Sequence, residues 1–362
     1  MNTDAYFGQD YAQARALFLQ AAQQSADHVW TFPHPLHGPS GEALAIDIAW
    51  LGPEQASSVV LVGSATHGAE GLCGSGCQVG MLRENFRGAL KPNTALVLVH
   101  ANNPYGFAHV RRVNEDNIDL NRNFVDFASP LPPSDAYAEL HAWLVPEDWR
   151  GSARLQADAQ IDAYIERVGP AAYQQSMSQG QYAFPDGLFY GGTGPSWSRN
   201  TLEGFARERM AGVSALAVVD FHTGLGPRGY GEIIGRGTKD DPRYVRACDW
   251  YGSEVRSAMI GDSASVRLNG TIDYGYQRAL PDADVTAITL EFGTLPFEQV
   301  SDAVRADNWL YARGGGANSP LFDELKAQIR AAFYGDDRQW RSDIWARGQQ
   351  IVTQAIAGVA SG

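Results

Sequence analysis

Residues 57–71 read "SSVVLVGSATHGAEG". Val59 to Val62 form a short, unbroken apolar run rich in β-branched residues, the pattern of a strand buried on both faces. The run ends at Gly63 among small residues that carry His67 and, three positions on, Glu70. "GSGCQVGMLRENFRG", residues 74–88, then reads as a helix. "TALVLVHANNP", residues 94–104, reads as a second buried strand stopped by a turn dipeptide. Strand, helix and strand in succession are the order of an α/β fold.

The same order extends in both directions. Upstream, "DYAQARALFLQAAQQSA" (10–26) has helical periodicity and "EALAIDIAWLG" (42–52) alternates like a strand. Downstream, helical signals in "SDAYAELHAWLV" (134–145) and "ARLQADAQIDAYIERVG" (153–169) precede "GQYAFPDGLFYGGTGPSWSRN" (180–200), a Gly, Pro and aromatic stretch without a period. A loop of that length is more often functional than idle. A helix at 201–212, strands at 213–224 and 285–294, and two amphipathic helices at 319–335 and 342–360 complete the pattern. With no repeat and no linker, the expectation is a single α/β domain, residues 1–362. It has a mixed, mostly parallel central sheet flanked by helices and an elaborated loop and helical insert at about 128–200.

Composition narrows the chemistry. A chain of 362 residues, 44% hydrophobic and 11% aromatic, buries a large core. Its net charge of −13 argues against nucleic acid and anionic membranes as partners and favours small-molecule or peptide chemistry. No apolar run is long enough to span a bilayer. The start lacks the basic then apolar profile of a secretory signal, so the chain is expected to be cytoplasmic. Cys73, Cys77 and Cys248 form no disulfide framework. A metal corner at Cys73 and Cys77 lacks a second pair, and ordinary buried thiols are the expectation.

In an open α/β sheet functional groups gather beyond the strand ends. Four apolar strands here end in polar chemistry: His67 and Glu70 after the first, "RRVNEDNIDLNRNF" after the second, His222 in "VDFHTG", and Glu291 in "TLEFGT". Each alone has an ordinary explanation, such as a salt-bridged turn for "DLNRNF" or a strand-ending ion pair for Glu291. Together they offer a catalytic zinc its donors: His67 and Glu70 from one turn, His222 from another strand, and a fourth position open. One zinc per chain is expected. Asp119 and Asp220 are available as acceptors for the imidazole N–H groups, and glycines 68, 71 and 74 are expected to permit close backbone approach around the ion.

The set "HGAE", "NPYGF", "RRVNEDNIDLNRNF", "DFHTG" and "TLEFGT", in this order, resembles the zinc carboxypeptidase (M14, carboxypeptidase A-like) superfamily, and within it a bacterial branch labelled DUF2817. The resemblance implies the zinc carboxypeptidase type of fold, also described as phosphorylase/hydrolase-like. It implies His67, Glu70 and His222 on zinc, Asn121 and Arg122 on the substrate's carboxylate, Glu291 as general base, and Asp119 orienting the first histidine. The upstream arginine matches Arg112, with Arg111 the close competitor. The family's closing tyrosine has only Tyr274 and Tyr276 as counterparts.

The implied reaction follows from charge. Zinc makes a nucleophile available at neutral pH, Glu291 moves the proton, and Arg112 faces the developing oxyanion. The fork of Arg122 suits a carboxylate. Arg111, Arg112 and Arg122 form a positive island in a chain with 41 acidic and 28 basic residues. The implied substrate is a small peptide or N-acyl amino acid with a free carboxylate. Three readings stay open: a metallocarboxypeptidase, an N-acyl amino acid deacylase resembling the aspartoacylase and succinylglutamate desuccinylase group, and a catalytically silent zinc-binding module. His100 and His109 read as structural or rim residues, and Asn102 and Pro104 as turn residues. Phe189, Tyr190 and Trp197 are divided between pocket lining and loop packing.

Overall fold

A parallel strand buried on both faces sends alternate side chains to two different cores, and the central strands of this chain do so. The computed structural model describes residues 3–361. Its sheet contains β1 (His28–His37), β2 (Ala43–Leu51), β3 (Ser58–Gly63), β4 (Thr94–His100), β5 (Ala215–Arg228), β6 (Glu232–Gly235) and β7 (Asp284–Gly293). Their spatial order is β1-β2-β4-β3-β5-β7-β6. β3 pairs parallel with both β4 and β5, and β5 pairs parallel with β7. β1, β2 and β6 join by antiparallel pairings. The sheet is therefore mixed around four parallel strands.

Val60, Val62, Leu96, Leu98 and Val219 pack on one face against helices Gly71–Arg83 and Arg338–Val359. Val59, Leu61, Val97 and Val218 pack on the other against helices Trp197–Arg209 and Ile272–Ala279. In the insert, three helices (Asp135–Leu144, Ser152–Val168 and Pro170–Ser178) and the irregular run after them share a third apolar cluster with helices Phe297–Ala312 and Phe322–Phe333. The end of the periodless stretch is the first turn of helix Trp197–Arg209, capped by Ser196, whose side chain accepts from the Arg199 N–H.

Two strands escaped the sequence pattern. β1 holds Pro33 and Pro35 and is mostly exposed, and a strand lacking these N–H groups belongs at a sheet edge. β6 is only four residues long and forms the opposite edge. The thiols of Cys73 and Cys77 are buried, and burial pushes both upward from their usual range, as inert core thiols require. Among the described residues no helix is long and apolar enough to cross a membrane.

Candidate metal centre

Period-2 geometry explains how two strands carry the chemistry. On β5, Asp220 and His222 share one face while Phe221 enters the opposite core. On β7, Thr289 and Glu291 share the same face as their register partners: Asp220 lies beside Thr289, and His222 beside Glu291. His67 and Glu70 arrive from the exit of β3, where a short 3-10 turn, Gly68–Glu70, leads into helix Gly71–Arg83. The glycine at 68 serves a neighbour and not an ion, a correction to the expectation for these glycines. A Cβ there would lie 1.9 Å from the Gly106 carbonyl carbon and 2.2 Å from the Phe107 nitrogen. The Phe107 ring fills the same space at Gly71, and Ser64 and Phe221 do so at Gly74.

His67, Glu70 and His222 are buried, and one donor atom from each lies within 4.8 Å of the others. His222 Nε2 lies 2.6 Å from Asp220 Oδ2 and donates its proton there. Its Nδ1 then faces Glu70 Oε2 at 3.1 Å and His67 Nδ1 at 3.2 Å. Glu70 Oε2 already accepts from the Thr223 N–H at 3.0 Å. Lone pairs converge at this point, so a proton or a cation has to sit between them. The donor set of two imidazole Nδ1 atoms and one carboxylate fits zinc with an open position. Burial alone would lower the His222 imidazole, but Asp220 and Glu70 outweigh it and push it up to about 10. Burial raises the Glu70 carboxyl, yet His67 and His222 hold it well below the usual carboxylate range.

Behind the donors lie two carboxylates. Asp220 accepts from Thr66 Oγ1 at 2.8 Å, and that hydroxyl accepts from Asn102 Nδ2 at 2.8 Å, so Asn102 does more than shape a turn. Asp119 Oδ1 lies 3.1 Å from His67 Nε2 and accepts from the Asn121 N–H at 3.0 Å, while Oδ2 accepts from Arg112 Nε at 2.9 Å. Burial raises Asp119, but Arg112, Arg122 and His67 hold it well below its ordinary value. Arg112 Nη2 also meets His67 Nε2 at 2.9 Å. Were Nδ1 to hold a cation, the His67 proton would sit on Nε2 facing Asp119, and Arg112 would have to leave that nitrogen.

Glu291 is buried, and its Oε1 accepts from the Leu225 N–H at 3.0 Å. Burial and the neighbouring Glu70 push its carboxyl up to about 7, the value suited to proton transfer near neutrality. A cavity of about 90 Å³ opens on this group, lined also by Arg112, Asn121, Arg122 and Phe189. Arg122 is held by the insert, its Nε and Nη2 both donating to the Ser178 carbonyl. Phe189 has a left-handed backbone, φ 53°, and its ring lies 5.0 Å and 5.5 Å from the Arg112 and Arg122 guanidinium carbons.

Three sequence candidates stand elsewhere. Arg111 turns away: it lies over the Tyr311 ring at 3.8 Å, Nη2 donates to Asn117, and Nε faces Asp307 at 3.5 Å. Consecutive residues leaving a turn diverge, and the acidic partner of Arg111 lies on helix Phe297–Ala312. Tyr274 is exposed and Tyr276 is buried in the core opposite helix Trp197–Arg209, because they sit on a helix that packs beside the cavity; neither lines it. His100 is a core residue stacked on Phe18, and His109 is a rim residue near the His37 carbonyl. Tyr190 lends its carbonyl to the Asp119 N–H, and Trp197 packs on His34.

Sequence reasoning missed Arg236, which lines the cavity from the end of β6. The available signal was "GEIIGR", residues 231–236, a glycine-bounded apolar pair with an arginine two positions, and hence one pleat, beyond Ile234. It also missed Glu232. Buried on β6, this carboxylate accepts from Ser263 Oγ and the Ala264 N–H, and so ties down the segment whose Ser265 and Leu268 line the cavity.

A family model described as "Protein of unknown function (DUF2817)" matches residues 7–347. No curated protein matches the chain at a significant level. Among solved structures the chain is similar to the carboxypeptidase A from Helicoverpa armigera, at 14% identity over 90% of this chain and 74% of that one, with a TM-score of 0.47. It is similar to a succinylglutamate desuccinylase from Silicibacter sp. TM1040, at 13% identity over 84% of this chain and 65% of that one, TM-score 0.39. Murein-tripeptide amidase MpaA from Escherichia coli O157 gives 15% identity over 81% of this chain and 95% of that one, TM-score 0.35.

Proposed function

The chain belongs to the DUF2817 family, and from that premise and the geometry of its buried donor group we propose a zinc-dependent, carboxypeptidase-like hydrolase that cleaves an amide or peptide bond next to a free carboxylate. The observation that carries this reading is the convergence of His67, Glu70 and His222 beside Glu291, a carboxyl pushed up to about 7. Zinc held by the two Nδ1 atoms and Glu70 would supply a Lewis acid for a carbonyl and for water. Glu291 takes a proton at its carboxylate and returns it to the leaving amine. Arg112, already against Glu70 and Asp119, swings from the imidazole to offer its Nη hydrogens to negative charge growing on the attacked carbonyl. Asn121 and the two Nη hydrogens of Arg122 left free by Ser178 and Asn121 take the substrate's carboxylate. Asp119 and Asp220 fix the tautomers of the two histidines.

The size of the cavity and the wall raised by Ser178 and Phe189 favour a second, narrower form of the reading, deacylation of an N-acyl amino acid. The substrate is then a small metabolite bearing a carboxylate. One experiment tests both forms: metal content by elemental analysis of wild type, His67→Ala and His222→Ala, with release of amine from a dipeptide and N-acyl amino acid panel. The expected result is about one zinc per chain, lost with activity in both variants, and the more active panel decides between the two forms. A folded wild type that binds no zinc and cleaves neither panel refutes the reading.

A further inference from the structure

Of the charged side chains that line the cavity, Arg236 alone belongs neither to the donor group nor to the groups assigned above to proton transfer, oxyanion or carboxylate binding. Its position follows from the strand. Ile234 on β6 is the register partner of Thr289, so Arg236, two residues on, returns to the same face. Its Nη2 donates to Thr289 Oγ1 at 3.0 Å, and its Nε to Asp273 Oδ1 at 3.1 Å. Thr289 is two residues from Glu291 on one face of β7, a spacing of about 6.7 Å. The guanidinium is therefore anchored one pleat from the proton-transfer carboxylate.

The anchoring is one-sided. Asp273 is buried at the start of helix Ile272–Ala279 and fixes the Nε edge, while the Nη1 group has no acceptor among the described residues. The side chain is 16% exposed, and with Ile234 and Leu268 it lines both the cavity and a neighbouring cleft that Arg243 and Tyr274 also line. A largely desolvated guanidinium with free, parallel N–H groups is matched by a planar carboxylate.

We propose, resting on the hydrolase reading above, that Arg236 is a specificity-determining residue and that the substrate's carboxylate-bearing residue carries a second carboxylate on its side chain, an acidic amino acid of the aspartate or glutamate type. The first carboxylate goes to Asn121 and Arg122. The second reaches Arg236 along the Ile234 and Leu268 wall.

The test is direct binding to the full-length, metal-free protein, where no turnover intervenes. Calorimetric affinities are measured for L-glutamate and L-glutamine, which differ only by carboxylate against amide. Wild type binds glutamate about tenfold more tightly or better, and Arg236→Gln brings the two within about twofold. Arg236→Lys keeps a countercharge for Asp273, and so guards against a misfolded first variant. It loses the fork, and its preference falls at least about threefold below wild type. Equal affinities, a preference for glutamine, no binding of either, or an unchanged preference in both variants overturns the proposal. Because no hydrolysis is read, an inactive but glutamate-selective protein would separate failure of the hydrolase reading from failure of this one.

Discussion

Asp119 is the residue at which charge and hydrogen bonding can be separated by a single atom. Its two oxygens serve different donors: Oδ1 takes the Asn121 N–H and faces His67 Nε2, and Oδ2 takes Arg112 Nε. In Asp119→Asn one oxygen becomes NH₂. Placed toward Arg112 it meets Nε–H, and placed toward the turn it meets the Asn121 N–H, so in either orientation one buried donor loses its acceptor. An unsatisfied buried donor costs about 1–3 kcal/mol, and a charge-assisted bond contributes about 1.5–3 kcal/mol. The negative charge between Arg112 and Arg122 also disappears. The expected cost is about 3 kcal/mol, read from urea unfolding of the metal-free protein. Arg112→Gln combined with Asp119→Asn should return a coupling above about 1.5 kcal/mol in a double-mutant cycle. Zinc affinity of Asp119→Asn should fall about 10–100-fold. A loss of stability below 1 kcal/mol with coupling near zero refutes the account of Asp119 as a shared counterion.

Three further outcomes are expected. Glu291→Gln should lower turnover about 10²–10⁴-fold while zinc content stays that of wild type, measured on the same sample, since its side chain lies outside the donor group. Gly68→Ala drives a Cβ into the Gly106–Phe107 backbone and should cost about 1–3 kcal/mol or more in chemical unfolding; a neutral outcome would contradict the turn's packing. Burial pushes the buried, neutral His100 down to about 4 from an ordinary 6.5. The unfolded chain therefore binds the extra proton first, and the contribution of His100, complete above 6.5, is lost as pH falls toward 4. The loss is about 3 kcal/mol, and His100→Gln should flatten the acid limb of stability against pH by that amount.

How far the sequence reaches can be traced residue by residue. β3, β4, β5 and β7 are readable because strands buried on both faces are continuous apolar runs, and their ends carry His67, His222 and Glu291. β1 is hidden by its prolines and β6 by its length. The choice between Arg111 and Arg112 is not legible, since both neighbours are arginines and only the distant Asp307 and Tyr311 hold the first away. Tyr274 and Tyr276 fit by distance along the chain, yet a helix two residues apart points side chains about 200° around its axis, and neither direction meets the cavity. Arg236 is hinted at by the short "GEIIGR" run, but its place beside the site depends on the register of β6 on β7, which lies outside that run.

The division of labour in the site follows from the same geometry. His222 and Glu291 are lateral neighbours in a parallel ladder, and their separation is set by the sheet with no loop intervening. The groups proposed to meet a substrate come instead from loops and edges: Arg122 is braced by the insert through Ser178, Phe189 turns in from the irregular run, and Arg236 hangs from the edge strand against Asp273. Substitutions in the insert or at the β6 edge can therefore re-aim recognition without shifting the proton-transfer group relative to the donors. A change in the central strands moves both at once. Selectivity should thus be separable from turnover at Arg236 and inseparable from it at Asp220 or Thr289, whose side chains share the face of β5 and β7 that carries His222 and Glu291.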